Sequence, residues 1–170
     1  IYRLASCQKK RIIDPRFYKI YLLLTRSIGP MSLSVLLPVY FGTQAKELAA
    51  CLASLQNQTL PAEEILVVKD GPLKSETEDC LQEYNSKLPI KLFDFPENRG
   101  LGPVLRDALP NCAHKIVARV DSDDRCLPDR FEKQVEFLSK RSEISVVGGR
   151  LRELYSTNGK SQEVIRDGPT

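Results

Sequence analysis

With 170 residues, 42% apolar and 28% charged, the chain is long enough to bury one substantial core and has ordinary globular composition. Its longest apolar stretches, at 20–24 and 35–39, fall well short of the roughly 18 residues a membrane-spanning helix needs. Five scattered cysteines without a C-x-x-C pair, and one histidine, His114, exclude a disulfide framework and a zinc site and point to a reducing compartment.

The net charge of +3 is unevenly placed. Residues 1–30 carry seven bases (Arg3, Lys9, Lys10, Arg11, Arg16, Lys19, Arg26) against one acid, Asp14, so the remainder is net −3 and is not a nucleic-acid binder by charge. Phe17, Ile20, Tyr21 and Leu24 recur there at helical spacing, which is compatible with a short interfacial helix in peripheral contact with a membrane. The other reading is a basic extension outside the domain, because Met31, the sole methionine, stands directly before the first clear strand.

From residue 31 to 170 short β-branched runs alternate with helical stretches, the pattern of an α/β domain with a mainly parallel sheet. A strand is expected at 34–39 (SVLLPV), followed by a helix at 44–56 with Leu48, Leu52 and Leu55 on one face. A second strand at 65–68 (ILVV) is cut off by Asp70-Gly71-Pro72. Ser75 and Glu78 then have capping-box spacing at the head of a helix bearing Leu81, Tyr84 and Leu88. A third strand at 90–93 leads through Pro96-Glu97-Asn98-Arg99-Gly100 into a helix ending near Leu109. The fourth strand, 116–120 (IVARV), runs into Asp121-Ser122-Asp123-Asp124, and Pro128 falls in the first turn of a helix carrying Phe131, Val135 and Leu138. A strand at 144–147 (ISVV) and a hairpin around Asn158-Gly159 complete the pass.

The acidic cluster is the sharpest chemical feature, because open α/β sheets bind ligands at the carboxyl ends of their strands. Asp121 and Asp123, two apart, share one side of an extended segment. Such a pair suits Mg2+ or Mn2+, which accept one or two carboxylates and complete their shell with phosphate oxygens and water. The alternative is a solvated turn that caps the following helix at Asp129. Asp70 ends the second strand on the same sheet edge, placed either to accept a hydrogen bond from a nucleotide base or to form an Asx-turn. Tyr40, at the end of the first strand beside Pro38, offers a stacking face, or else packs in the core. Gly100-Leu101-Gly102 lacks the third glycine of a dinucleotide fingerprint and reads as a close-approach turn, with Arg106 as a phosphate partner.

Together, PVYFGT at 38–43, VVKDGP at 67–72, ENRGLG at 97–102 and RVDSDDRCLPDRFEKQVEFL at 119–138 resemble family 2 glycosyltransferases of the GT-A fold, within them the bacterial enzymes of cell-surface polysaccharide synthesis. The resemblance implies that Pro38 and Tyr40 line a base pocket and that Asp70 bonds the base. It sets Asp121 and Ser122 before the ribose and phosphates, and makes Asp123 the metal-binding member of a DXD motif. It further implies a nucleoside-diphosphate sugar donor, a saccharide or lipid-linked acceptor, Mn2+ or Mg2+ as cofactor, inversion, and a cytoplasmic site at the inner membrane face. The family's general base is expected past Thr170, which would leave this chain the donor-binding half. Lys69 departs from the pattern, standing where the family often has an acid. Two other readings are a sugar-phosphate nucleotidyltransferase, whose basic Gly-rich loop is missing from 38–43, and a non-catalytic nucleotide- or metal-binding module.

Overall fold

The computed structural model describes residues 10–12, 32–157 and 160–166. Apart from Lys10–Ile12, residues 1–30, including the expected interfacial stripe, lie outside the described residues. So does Thr170, past which the general base is expected.

The described chain runs β1 (Lys10–Ile12), β2 (Leu33–Tyr40), α1 (Ala45–Gln56), β3 (Glu64–Asp70), α2 (Ser75–Asn85), β4 (Ile90–Phe95), α3 (Leu101–Ala108), a 3-10 turn (Leu109–Asn111), β5 (Ile116–Arg119), α4 (Arg130–Ser139), β6 (Leu151–Thr157) and β7 (Lys160–Arg166). Strands β4-β3-β2-β5 form one sheet, parallel throughout, and β1-β6-β7 a second, antiparallel one.

Period-two alternation on β2 and β3 builds the core. Leu33, Val35, Leu37, Val39, Ile65 and Val67 meet Leu48, Leu52 and Leu55 of α1, Leu81 of α2 and Phe131 of α4 on one face. Leu36, Leu66 and Val68 meet Val104 and Ala108 of α3 on the other. Each fully buried aliphatic side chain contributes about 1.5–3 kcal/mol, so these two strands anchor the domain. The chain steps outward from β2 to β3 to β4, then returns through α3 to set β5 on β2's opposite side. This reversal of strand order opens a crevice between the carboxyl ends of β2 and β5.

Three expectations are corrected here. Ser75 is the first helical residue and does not cap α2: Lys74 is the N-cap and no side chain bonds it, because Glu78 is drawn to Lys69 at 2.7 Å. Pro128 lies one residue before the N-cap Asp129, where its carbonyl is held at 2.7 Å by the Thr59 N–H. Residues 144–147 form no strand, and Val146 is 84% exposed, since no neighbouring strand among the described residues offers that run a ladder. The expected hairpin is present, with Thr157 opposite Lys160, although 158–159 are outside the described residues.

At the amino end of the sheet the buried Glu64 carboxylate accepts from Ser34 Oγ (2.5 Å) and the Ala113 N–H (2.7 Å), and pairs with Lys91 (3.0 Å). Burial pushes the carboxyl up, but these donors outweigh it and hold it below the ordinary value of 4.5. A lowered folded value gives stability that is present above the unfolded pKa and is lost as pH falls through the folded one. Glu64→Ala is therefore expected to cost about 1–3 kcal/mol at pH 7 by stranding the Ser34 and Ala113 donors. It should cost less once pH has fallen below the lowered folded value, and denaturant unfolding at pH 7 and at acid pH checks this.

Candidate functional site

At the β2–β5 reversal the sheet is pulled open. β5 pairs only with Leu33–Leu36 of β2, and the Val120 N–H makes the last bond, to the Leu36 carbonyl at 3.1 Å. Pro38, two residues on, faces the same side as Leu36, where no strand asks for the N–H it lacks. A proline inside a central strand thus marks where the crevice begins.

Tyr40 closes β2 with its ring 52% exposed, so core packing is not its role. The ring lies over Gly42, where an added Cβ would come within 2.4 Å of it. The Tyr40 N–H donates to Thr43 Oγ1 at 3.1 Å, and that hydroxyl meets Ser122 Oγ at 3.3 Å across the crevice. Thr43 is itself buried and accepts Thr77 Oγ1 on its carbonyl at 3.2 Å. Sequence reasoning did not single out Thr43; its only signal was its place as last residue of the 38–43 segment.

The acidic cluster is not extended, which corrects the geometry expected for Asp121 and Asp123. The chain turns at once, with the Asp124 N–H on the Asp121 carbonyl at 3.0 Å. The Asp121 carboxylate is engaged by Arg119 at 2.5 Å. Asp123 is exposed and makes no side-chain hydrogen bond or ion pair among the described residues. Beneath the turn, α1 and the residues just past its end present polar groups that the sequence reading also missed. Cys51 Sγ donates to the Asp121 carbonyl (3.5 Å), Ser54 Oγ accepts from the Cys126 N–H (3.0 Å), and Gln58 donates to the Leu127 carbonyl (2.7 Å) while accepting from the Phe131 N–H (3.1 Å). Cys51 and Ser54 share one face of α1 and Gln58 follows two residues past its end; their signal was polarity at core-facing spacing beside Leu48 and Leu55. Burial, followed by neighbouring Cys126, Asp124 and Asp123, pushes the Cys51 thiol well up, so it stays protonated and able to donate.

For a hard divalent cation the donors fit in part. Among the described residues no group of three His, Cys, Asp or Glu side chains is disposed to hold a metal. One uncommitted carboxylate, Asp123, and one partly committed, Asp121, match the small protein share that Mg2+ or Mn2+ takes when phosphates supply the rest.

Asp70 sits in register between Tyr40 and Phe95 at the sheet's carboxyl edge. It is 5% exposed, and its carboxylate accepts from the Arg99 N–H (2.6 Å), the Gly100 N–H (3.0 Å) and Asn98 Nδ2 (3.0 Å). It ties the loop at the head of α3 to β3. Gly71 follows at φ +82, and an added Cβ there would come within 2.7 Å of the Asn98 backbone nitrogen, so both its conformation and its bareness are used. Lys69 points away, to Glu78 (2.7 Å) and Asp94 (3.8 Å); its bond to Glu78 and, against the effect of burial, the Asp94 charge raise its pKa. Arg106 is in the last turn of α3, 73% exposed and paired with Asp107 at 2.7 Å, so the structure does not bring it to the Gly100 end of that helix. Arg99 pairs with Asp107 at 2.9 Å and lies 4.9 Å from the Phe95 ring centroid.

The Glycosyl transferase family 2 profile matches residues 34–165. An uncharacterized glycosyltransferase of Haemophilus influenzae is 40% identical over 140 residues, covering 82% of this chain and 52% of that one. The amylovoran biosynthesis glycosyltransferase AmsE of Erwinia amylovora is 37% identical over 129 residues, covering 76% and 48%. The chain thus spans about half the length of these curated relatives. Residues 1–349 of S. aureus TarS, solved in complex with UDP-GlcNAc, share the fold with a TM-score of 0.59 and 29% identity, over 66% of this chain and 32% of that one.

Proposed function

The chain belongs to glycosyltransferase family 2, and from that membership we propose that it binds a nucleoside-diphosphate sugar in the β2–β5 crevice for transfer to a saccharide or lipid-linked acceptor. Cell-surface polysaccharide synthesis at the cytoplasmic face of a membrane is the setting this reading favours, in line with the part AmsE takes in amylovoran biosynthesis. Family membership sets aside the nucleotidyltransferase alternative. Among the described residues no helix is long and apolar enough to cross a membrane.

The observation that carries the proposal is Asp123, a carboxylate left uncommitted at the one edge where the strand order reverses. In this reading the half-exposed Tyr40 ring stacks on the base beside Pro38, and the Thr43–Ser122 hydroxyl pair faces ribose and phosphate. Asp123, with the free oxygen of Asp121, holds Mn2+ or Mg2+ against the diphosphate. A bound divalent ion would neutralise the charge that gathers on the departing nucleoside diphosphate. Arg119 keeps Asp121 from closing on the cation alone, so the site waits for a donor's phosphates. We assign inversion to the reaction, with a carboxylate base that is none of the residues named above.

Calorimetric titration of a uridine- or other nucleoside-diphosphate sugar into the protein is the test. Binding is expected with Mn2+ or Mg2+ and strong weakening in chelator; equal affinity in both would overturn the metal-bridged site.

A further inference from the structure

We propose that Arg130, the first residue of α4, is a positioning residue for the metal-binding turn and sets its cation affinity without touching the ion. The inference rests on the cation reading above and adds a residue to it.

The acidic turn leaves β5 at Arg119 and rejoins ordered structure at Cys126. Arg130 spans these two ends. One guanidinium nitrogen donates to the Arg119 carbonyl at 3.0 Å, the other terminal nitrogen to Cys126 Sγ at 3.0 Å, and Nε to Gln134 Oε1 at 3.2 Å, one helical turn on. A planar fork with donors at fixed separation sets the distance between the groups it bridges, which an ammonium cannot do. The Arg119 carbonyl is available because β5 is an edge strand among the described residues, with β2 on one side only. Arg119 in turn holds the Asp121 carboxylate. A chain of contacts therefore runs from Arg130 through the backbone of residue 119 to the acid beside Asp123. Burial pushes the Cys126 thiol up while Arg130 pulls it down; the net direction is up, so Cys126 serves as a neutral acceptor and does not form an ion pair.

The Asp124 N–H on the Asp121 carbonyl turns the loop, Ser122 meets Thr43 across the crevice, and α1 holds Asp121 and Cys126 from beneath; the Arg130 fork joins the two ends of the loop to each other. Without the fork, β2, Thr43 and α1 keep the turn near its place, but nothing then joins residue 119 directly to residue 126, and the spacing between them is set less tightly. The carboxylates would then spend less time placed to hold a cation together; Mg2+, which demands near-ideal octahedral coordination, would lose most, and Mn2+ would lose the share of affinity that this pre-organisation supplies.

The experiment titrates Mn2+, followed by its electron paramagnetic resonance signal, into wild type, Arg130→Lys, Arg130→Ala and Asp123→Asn at saturating nucleoside diphosphate, alongside thermal unfolding. Arg130→Ala should weaken Mn2+ about 10- to 100-fold, the usual effect of losing an outer support of a metal site, at temperatures where circular dichroism shows it folded. Arg130→Lys should show an intermediate loss. If both variants melt earlier yet bind Mn2+ like wild type, Arg130 is structural only and the proposal fails. If Arg130→Ala does not fold, wild-type affinity in Arg130→Lys overturns it equally. Undiminished Mn2+ binding by Asp123→Asn would instead sink the cation site itself, while loss there with retention in the Arg130 variants would defeat the positioning role alone.

Discussion

Asp123→Asn is expected to leave the fold intact and to reduce sugar transfer by the whole protein at least about a hundredfold. Asp123 is exposed and makes no hydrogen bond or ion pair among the described residues, so the exchange breaks nothing inside the molecule. Stability should stay within about 0.5 kcal/mol of wild type, as for other surface changes. The charge, in contrast, is a carboxylate left uncommitted at the crevice. If it holds the cation that stabilises the leaving diphosphate, its removal forfeits several kcal/mol of transition-state stabilisation, and about 1.4 kcal/mol is a factor of ten in rate. Transfer of labelled sugar by wild type and variant, with circular dichroism of both, decides the matter. Near-wild-type turnover in a folded variant would remove Asp123 from the mechanism.

Asp70→Ala should act on stability and donor binding together. Three donors, the N–H groups of Arg99 and Gly100 and the Asn98 amide, converge on this one buried carboxylate. Hydrogen bonds to charged groups are worth about 1.5–3 kcal/mol each, but the 97–100 loop is largely exposed and water can replace part of them. A net loss of about 2–4 kcal/mol in denaturant unfolding is the expected result, with weaker donor binding because Asp70 lies in register beside Tyr40 at the sheet's carboxyl edge. Asp70→Asn, which keeps one acceptor oxygen, should fall between. A drop in affinity at unchanged stability would return Asp70 to direct base recognition.

The sheet strands were legible because β2 and β3 are buried on both faces and read as unbroken apolar runs, and because the punctuation at 70–72 and 121–124 marks the ends of β3 and β5. The motifs were legible as well, and they do gather on one edge, since parallel strands deliver their carboxyl ends together. What each side chain does there was not. Spacing along an extended strand suggested that Asp121 and Asp123 work as a pair, but one backbone hydrogen bond from Asp124 turns the chain and Arg119 claims the first of them. Asp70 read as available to a ligand, yet its partners lie 28–30 residues away, a distance over which local pattern is silent. The run at 144–147 shows the converse limit. β-Branched residues prefer extended backbone, but a strand exists only where a neighbour supplies its bonds.

The polar groups of α1 and of the residues just past its end also dictate an order of assembly. The bonds from Cys51, Ser54 and Gln58 to residues 121–131 join positions 69–73 apart, and closing so long a loop carries an entropic cost that contacts already in place must offset. In chain order β2, α1 and β3 are complete by Asp70, more than fifty residues before Cys126 is made. The acidic segment is therefore expected to be the part of the crevice that condenses last and the first to open on partial unfolding, which hydrogen exchange at 121–126 against β2 and β3 would read.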